Sequence, residues 1–279
     1  MTEKKAIVVG LGLIGGSLAK GLTQRANFSV FGLDQNPQVI AQAVSCGAIV
    51  REAVLQDFQE ADFLFLCLYP KDVIHFMEQY ADKIGKQCIV TDTCGIKNAV
   101  CPELTKLSRQ YGFPFVGGHP MAGKERNGFA VSEAELFDGA SYILVPCGAD
   151  SKAVAAMQQL ALTLGFGTTV TTTPEHHDAM IAFTSQLPHA LACAYVMSPC
   201  CPQHNGFSAG SYRDVSRVAR INDELWSELF LDNRTALTTE LDTLIFHLNE
   251  IKETLKQNDR PALRALLRRG REIKEALGE

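Results

Sequence analysis

Hydrophobic and polar positions along this chain change period once, near residue 170. Before that point short continuous apolar runs alternate with stretches whose apolar residues recur every three or four positions. The runs at 6–9, 29–33, 63–68, 88–91, 115–116 and 142–145 are bounded by Gly, Asp or Pro and predict strands; 168–172 predicts one more. Between them 14–25, 37–46, 71–84, 96–111 and 151–164 predict helices. Alternating strands and helices imply a parallel sheet covered by helices on both faces. After Pro174 the strand signal stops. Helices are predicted over 175–197, 208–219, 223–230, 232–257 and 261–277, with Pro188 expected to kink the first. Leu237, Leu241, Leu244, Ile245 and Leu248 share one face of the long helix.

The first run, Ala6-Ile7-Val8-Val9, feeds straight into Gly10-Leu11-Gly12-Leu13-Ile14-Gly15, and a helical pattern follows. Strand, glycine turn and helix in that order are the context in which G-x-G-x-x-G signals dinucleotide binding. Gly10 permits the tight turn, Gly12 lets the backbone approach a pyrophosphate, and Gly15 lets helix and strand pack closely. The helix N-terminus offers N–H groups and a positive dipole end to the phosphates. The run 29–33 leads into Asp34, at the spacing of a carboxylate that binds the adenine ribose hydroxyls. That carboxylate repels a 2′-phosphate, and Gln35 and Asn36 supply no cation to offset it, so NAD is favoured over NADP. The fold class is α/β. A Rossmann-type dinucleotide-binding domain is expected over residues 1–170 and an all-α substrate-binding and dimerisation domain over 171–279, making the chain a homodimer.

Composition narrows the setting. The net charge of −5 argues against a general nucleic-acid surface. No apolar stretch approaches the roughly 20 residues of a membrane span. The first strand begins so early that no signal peptide is expected, and the nine scattered cysteines then read as reduced thiols in the cytoplasm. Cys200, Cys201 and His204 make a poor chelating set, flanked by Pro199 and Pro202, so no metal is expected.

Ligands on such sheets bind beyond the carboxyl ends of the strands. Leu68, Tyr69 and Pro70 are expected near the cofactor. His119, in a predicted loop between glycines and Pro120, is the best general base, since imidazole suits proton transfer near neutrality. His75 and His247 read as surface or helix-face residues, and His176 and His177 as solvated in a helix's first turn. His189 follows Pro188 at the expected kink and is a ligand-contact candidate. Arg213, Arg217 and Arg220 lie on one predicted helix, with Arg213 and Arg217 one turn apart, and could supply a fork-shaped cation to an acidic substrate.

Together Gly10–Ser17, Gly118-His119-Pro120-Met121-Ala122-Gly123, Leu187-Pro188-His189-Ala190 and Tyr212-Arg213-Asp214-Val215-Ser216-Arg217 closely resemble the prephenate/arogenate dehydrogenases of tyrosine biosynthesis, and Asn222–Trp226 continues the match. The resemblance implies NAD-dependent oxidative decarboxylation of a small acidic substrate. His119 would take the ring hydroxyl's proton, Arg217 would bind a carboxylate, His189 would contact the substrate, and Glu125 would stand near the cleft entrance. Gln186, where many relatives carry histidine, is placed to touch the substrate side chain. Prephenate is the default substrate from family frequency, with arogenate the alternative. One departure stands out: the family's serine in D-x-G-S-x-K falls on Gly95 of Asp92-Thr93-Cys94-Gly95-Ile96-Lys97. That hydrogen bond is then absent, or Thr93, Cys94 or a water replaces it. No appended regulatory or mutase segment is expected.

Two rivals remain at this stage. A 3-hydroxyacid dehydrogenase would need a lysine base on a second-domain helix, and 175–197 contains no lysine. A non-catalytic NAD-sensing protein would keep the glycine loop and Asp34 without needing His119 or the arginines.

Overall fold

The computed structural model describes residues 4–124 and 126–278. Five parallel strands form the first sheet: β1 (Lys5–Val9), β2 (Ser29–Leu33), β3 (Arg51–Glu52), β4 (Phe63–Leu66) and β5 (Ile89–Asp92), in the order β3-β2-β1-β4-β5. Their crossovers carry α1 (Leu13–Ala26), α2 (Pro37–Ser45), α3 (Leu55–Glu60) and α4 (Pro70–Tyr80). Alternate residues of β1 enter different cores, because side chains alternate across a strand. Ala6 and Val8 pack with Leu18 and Leu22 of α1, while Ile7 and Val9 pack with Val73 and Met77 of α4. Covering on both faces is why these strands read as continuous apolar runs.

The strands do not all join one parallel sheet, as the alternation implied. After α5 (Cys101–Tyr111), β6 (Gly117–Pro120), β7 (Ser141–Val145) and β8 (Thr168–Thr171) form a second sheet, with β6 antiparallel to β7 and β7 parallel to β8. A single bridge between Val90 and Phe115 links it to the first. The strand expected at 115–116 is therefore displaced to Gly117–Pro120, and His119 lies in a strand, opposite Ile143, not in a loop. Pairing with β7 overrides the poor strand propensity of Gly-Gly-His-Pro. Helix α5 also starts later than expected, at Cys101. The backbone N–H groups of Lys97 and Asn98 are engaged by Asp178 instead, each at 2.8 Å. The short β3 and α3 have no counterpart among the predicted elements.

Helix α6 (Ser151–Thr163) precedes β8, and from Pro174 on the regular elements are helices among the described residues. The elements are α7 (Pro174–Ile181), α8 (Leu187–Val196), α9 (Gly210–Ser216), α10 (Asp223–Asp232), α11 (Arg234–Lys256) and α12 (Arg260–Ala276). The helical run is continuous in hydrogen bonding from α7 into α8 but changes its winding between them. A wide π turn, Ala182–Gln186, joins them. Pro188 has no N–H to donate into the preceding turn, and the wider turn absorbs the mismatch.

Candidate active site

The glycine loop has the shape its sequence demands. Gly10 has φ +86°, and a Cβ there would lie 2.4 Å from the Cys67 carbonyl oxygen; one on Gly15 would lie 1.9 Å from the Gly10 carbonyl oxygen. Gly12 faces open space and is the N-cap of α1, with no side-chain cap and no acid in the first turn. The dipole end and free N–H groups of α1 are thus left open to an anion. Asp34 Oδ2 accepts the Leu11 N–H (2.9 Å) and Oδ1 the Asn36 N–H (2.8 Å), which ties the carboxylate to the loop. Each oxygen keeps a lone pair for a hydroxyl. Leu68 packs beside Gly10, and Tyr69 and Pro70 cap and open α4. This cradle fits the pyrophosphate and ribose of a dinucleotide.

Beside it, β5 and β6 are locked together by a buried ion pair. Lys97 is 0% exposed; its Nζ donates to Asp92 Oδ2 and to the Gly118 carbonyl. Asp92 also accepts the N–H groups of Gly118 (3.2 Å) and Cys94 (2.9 Å). Burial opposes the lysine's charge, but its neighbours, Asp92 first among them, together hold the pKa above the ordinary lysine value. Gly118 has to be glycine, since a Cβ would meet the Tyr142 hydroxyl at 2.4 Å and the Asp92 carbonyl at 2.7 Å.

The next residue is His119. Its Nδ1 lies 2.9 Å from Nε2 of His177, whose Nδ1 lies 2.7 Å from Asp178 Oδ1. His177 is 2% exposed, so the expectation of a solvated first-turn residue is overturned. Burial first, then the nearby His177 and Lys97, push the His119 pKa well below the ordinary histidine value. Burial also lowers that of His177, against the opposing pull of Asp178. For Asp178 burial acts upward, but the His177 ring and the N–H groups of Lys97 and Asn98 together hold it below the ordinary value. A Cβ on Gly95 would stand 4.0 Å from His119 Nε2 and 3.6 Å from Leu229 of α10. The ring's second nitrogen therefore faces the place where the two domains meet. Thr93 and Cys94, the two neighbours that could stand in for the family serine, are engaged elsewhere: Thr93 Oγ1 donates to the Leu66 carbonyl, and Cys94 Sγ to that of Leu68.

In the helical domain, His189 Nδ1 donates to the Ser185 carbonyl of the π turn (2.7 Å), and its ring stacks on Trp226 of α10, centroids 3.8 Å apart. Gln186 is 1% exposed. Its amide donates to the Leu229 carbonyl and accepts from Asn233 Nδ2, both at 2.8 Å. It therefore braces the joint between the π turn and α10. Helix α9 ends at Ser216, so the three arginines do not share one helix. Arg217 opens a short 3-10 turn packed on α8, one turn beyond Arg213, and Arg220 lies past it. Glu125 lies outside the described residues. Among the described residues no cluster of three His, Cys, Asp or Glu side chains is gathered to hold a metal.

His177, Asp178 and Lys97 were not singled out from sequence. In the structure His177, Asp178, Ile181 and Ala182 form one buried stripe at helical spacing, but the histidine and the acid are polar, so apolar periodicity in the sequence does not mark them.

Residues 18–168 match the family described as prephenate dehydrogenase, nucleotide-binding domain, and residues 173–269 match prephenate dehydrogenase, dimerization domain. A cyclohexadienyl dehydrogenase of Zymomonas mobilis is 30% identical over 270 residues, covering 92% of this chain and 90% of that protein. The crystal structure of prephenate dehydrogenase from Aquifex aeolicus, in complex with hydroxyphenyl propionate and NAD+, superposes with a TM-score of 0.86 at 27% identity, covering 99% of both chains. That of Synechocystis arogenate dehydrogenase gives 0.84 at 27% identity, covering 98% of this chain and 99% of the other. The chain belongs to the prephenate dehydrogenase family.

Proposed function

We propose that the protein catalyses the NAD-dependent oxidative decarboxylation of prephenate to 4-hydroxyphenylpyruvate in tyrosine biosynthesis. The observation that carries this reading is His119, held by its Nδ1 with Nε2 turned toward Gly95 and Leu229 at the domain junction. When bound, the nicotinamide accepts the hydride from the ring carbon that bears the hydroxyl. His119 Nε2 takes the hydroxyl proton as that hydride departs, holds it while the ring carboxylate leaves as CO₂, and returns it to the phenolate oxygen of the aromatic product. Gly10, Leu11, Gly12, Leu13, Ile14 and Gly15 cradle the dinucleotide phosphates, with Leu68, Tyr69 and Pro70 alongside. Asp34 holds the adenine ribose and disfavours NADP. Arg217, with Arg213 one turn away, binds a substrate carboxylate, and His189, braced on Trp226, contacts the substrate. The working unit is a homodimer formed through the helical domain.

Arogenate dehydrogenation to tyrosine is the second reading, favoured by the likeness to the Synechocystis arogenate dehydrogenase. Both use the same base, cofactor and anion clamp. The test is His119→Asn, compared with the unaltered protein on both substrates. Turnover is expected to fall by about 10²–10⁴-fold, the contribution of a positioned base, with NAD binding intact. Unchanged turnover would remove His119 from the chemistry.

A further inference from the structure

Asp178, His177 and His119 form a continuous line of hydrogen bonds from α7 into β6. We propose that His177, anchored by Asp178, is a positioning residue that fixes His119 in the tautomer with its proton on Nδ1, leaving Nε2 bare toward the cleft. The proposal rests on the reading of His119 as the base.

The assignment follows from counting donors along the line. Asp178 Oδ1 accepts the Lys97 N–H and Oδ2 the Asn98 N–H, the arrangement of an ionised carboxylate, which can only accept. His177 Nδ1, 2.7 Å from Oδ1, must then be the donor. A neutral imidazole carries one N–H, so His177 Nε2 is an acceptor. The contact from His119 Nδ1 at 2.9 Å therefore runs His119 N–H to His177, and the remaining nitrogen of His119 has a lone pair. Each proton position is dictated by the one before it, starting from two backbone amides that α5 leaves out of its first turn. Backbone supports the line again at Asp178, whose carbonyl accepts from Asn233 Nδ2 at 2.8 Å. When His119 gains a proton on Nε2, its Nδ1–H still has His177 to donate to. His177 therefore steadies the imidazolium without taking the proton, which stays on His119.

Two substitutions separate this role from mere filling of space. In His177→Gln the amide oxygen reaches the former Nε2 position and still accepts from His119. In His177→Asn the amide reaches only the former Nδ1 position, so Asp178 keeps its donor and His119 loses its acceptor. The first readout is nitrogen-15 NMR of histidine-labelled protein, which distinguishes the two tautomers without substrate; the chain has only seven histidines to assign. His119 is expected as the Nδ1–H tautomer at neutral pH in the unaltered protein and in His177→Gln. In His177→Asn it is expected to shift toward Nε2–H. Turnover should fall about 10²-fold in His177→Asn, with KM and NAD affinity little changed, and stay within about tenfold in His177→Gln. An unaltered protein with His119 as Nε2–H, or a His177→Asn protein with tautomer and turnover unchanged, would overturn the proposal. If neither prephenate nor arogenate is turned over yet the tautomers follow this pattern, the activity reading fails and the positioning of His119 by His177 stands.

Discussion

His119 and His177 are imidazoles that folding keeps neutral, and that has a consequence for stability. Burial is the first cause of the lowered pKa in both. The unfolded chain binds a proton at each near pH 6.5, whereas the folded chain binds them only at lower pH. Their contribution is therefore fully present above 6.5 and is lost as pH falls through 6.5 toward the folded values. The slope approaches about 1.4 kcal/mol per pH unit for His119, whose pKa lies well below the ordinary value, and is smaller for His177. Urea unfolding between pH 7.5 and about 5 should show this loss, and replacing His177 by Gln should remove one group's share of the slope. A stability that stays flat across that window would contradict burial of the two rings as neutral groups. The same depression keeps the base unprotonated at neutral pH, so the acid limb of turnover should lie below the ordinary histidine value.

Among the elements, α11 carries apolar surface that its own chain leaves uncovered. Of the apolar stripe read from its sequence only Leu237 is buried; Ile245 and Leu248 are exposed, and so is the neighbouring Phe246 at 59%. Apolar surface of this kind on the domain matched as a dimerization domain calls for a second copy. Sedimentation at micromolar concentration is expected to give twice the chain mass, and Ile245→Arg with Leu248→Arg should give a folded single chain. A single-chain mass for the unaltered protein would contradict it. Helix positions in this domain were legible because 3.6-residue periodicity survives in its sequence. Strand–turn–helix at Gly10–Gly15 was legible for another reason: close backbone contacts admit only glycine there. Strand β6 was hidden because Gly117, Gly118 and Pro120 have no strand period, and only pairing with β7 makes them a strand. His177 and Asp178 were hidden because a histidine and an acid after Pro174 look like an ordinary solvated first turn. Nothing local shows that the turn abuts the amides of Lys97 and Asn98, 81 and 80 residues earlier.

At the scale of the molecule, the two parts of the chain meet at the site rather than merely following one another. Asp178 of α7 holds the segment after β5, Leu229 of α10 stands over Gly95, and Lys71 of α4 lies 3.4 Å from Glu228 of α10. The nucleotide cradle belongs to the first part, the arginines and His189 to the second, and His119 lies where they join. Such an arrangement suits a reaction in which a hydride, a proton and a carboxylate must be handled together. The most direct measurement is NADH formation by the purified protein with NAD⁺, with prephenate and arogenate supplied side by side. Prephenate is expected to be turned over faster than arogenate, with NADP⁺ a poor substitute for NAD⁺. No NADH from either substrate, with NAD⁺ bound, would contradict the assigned reaction.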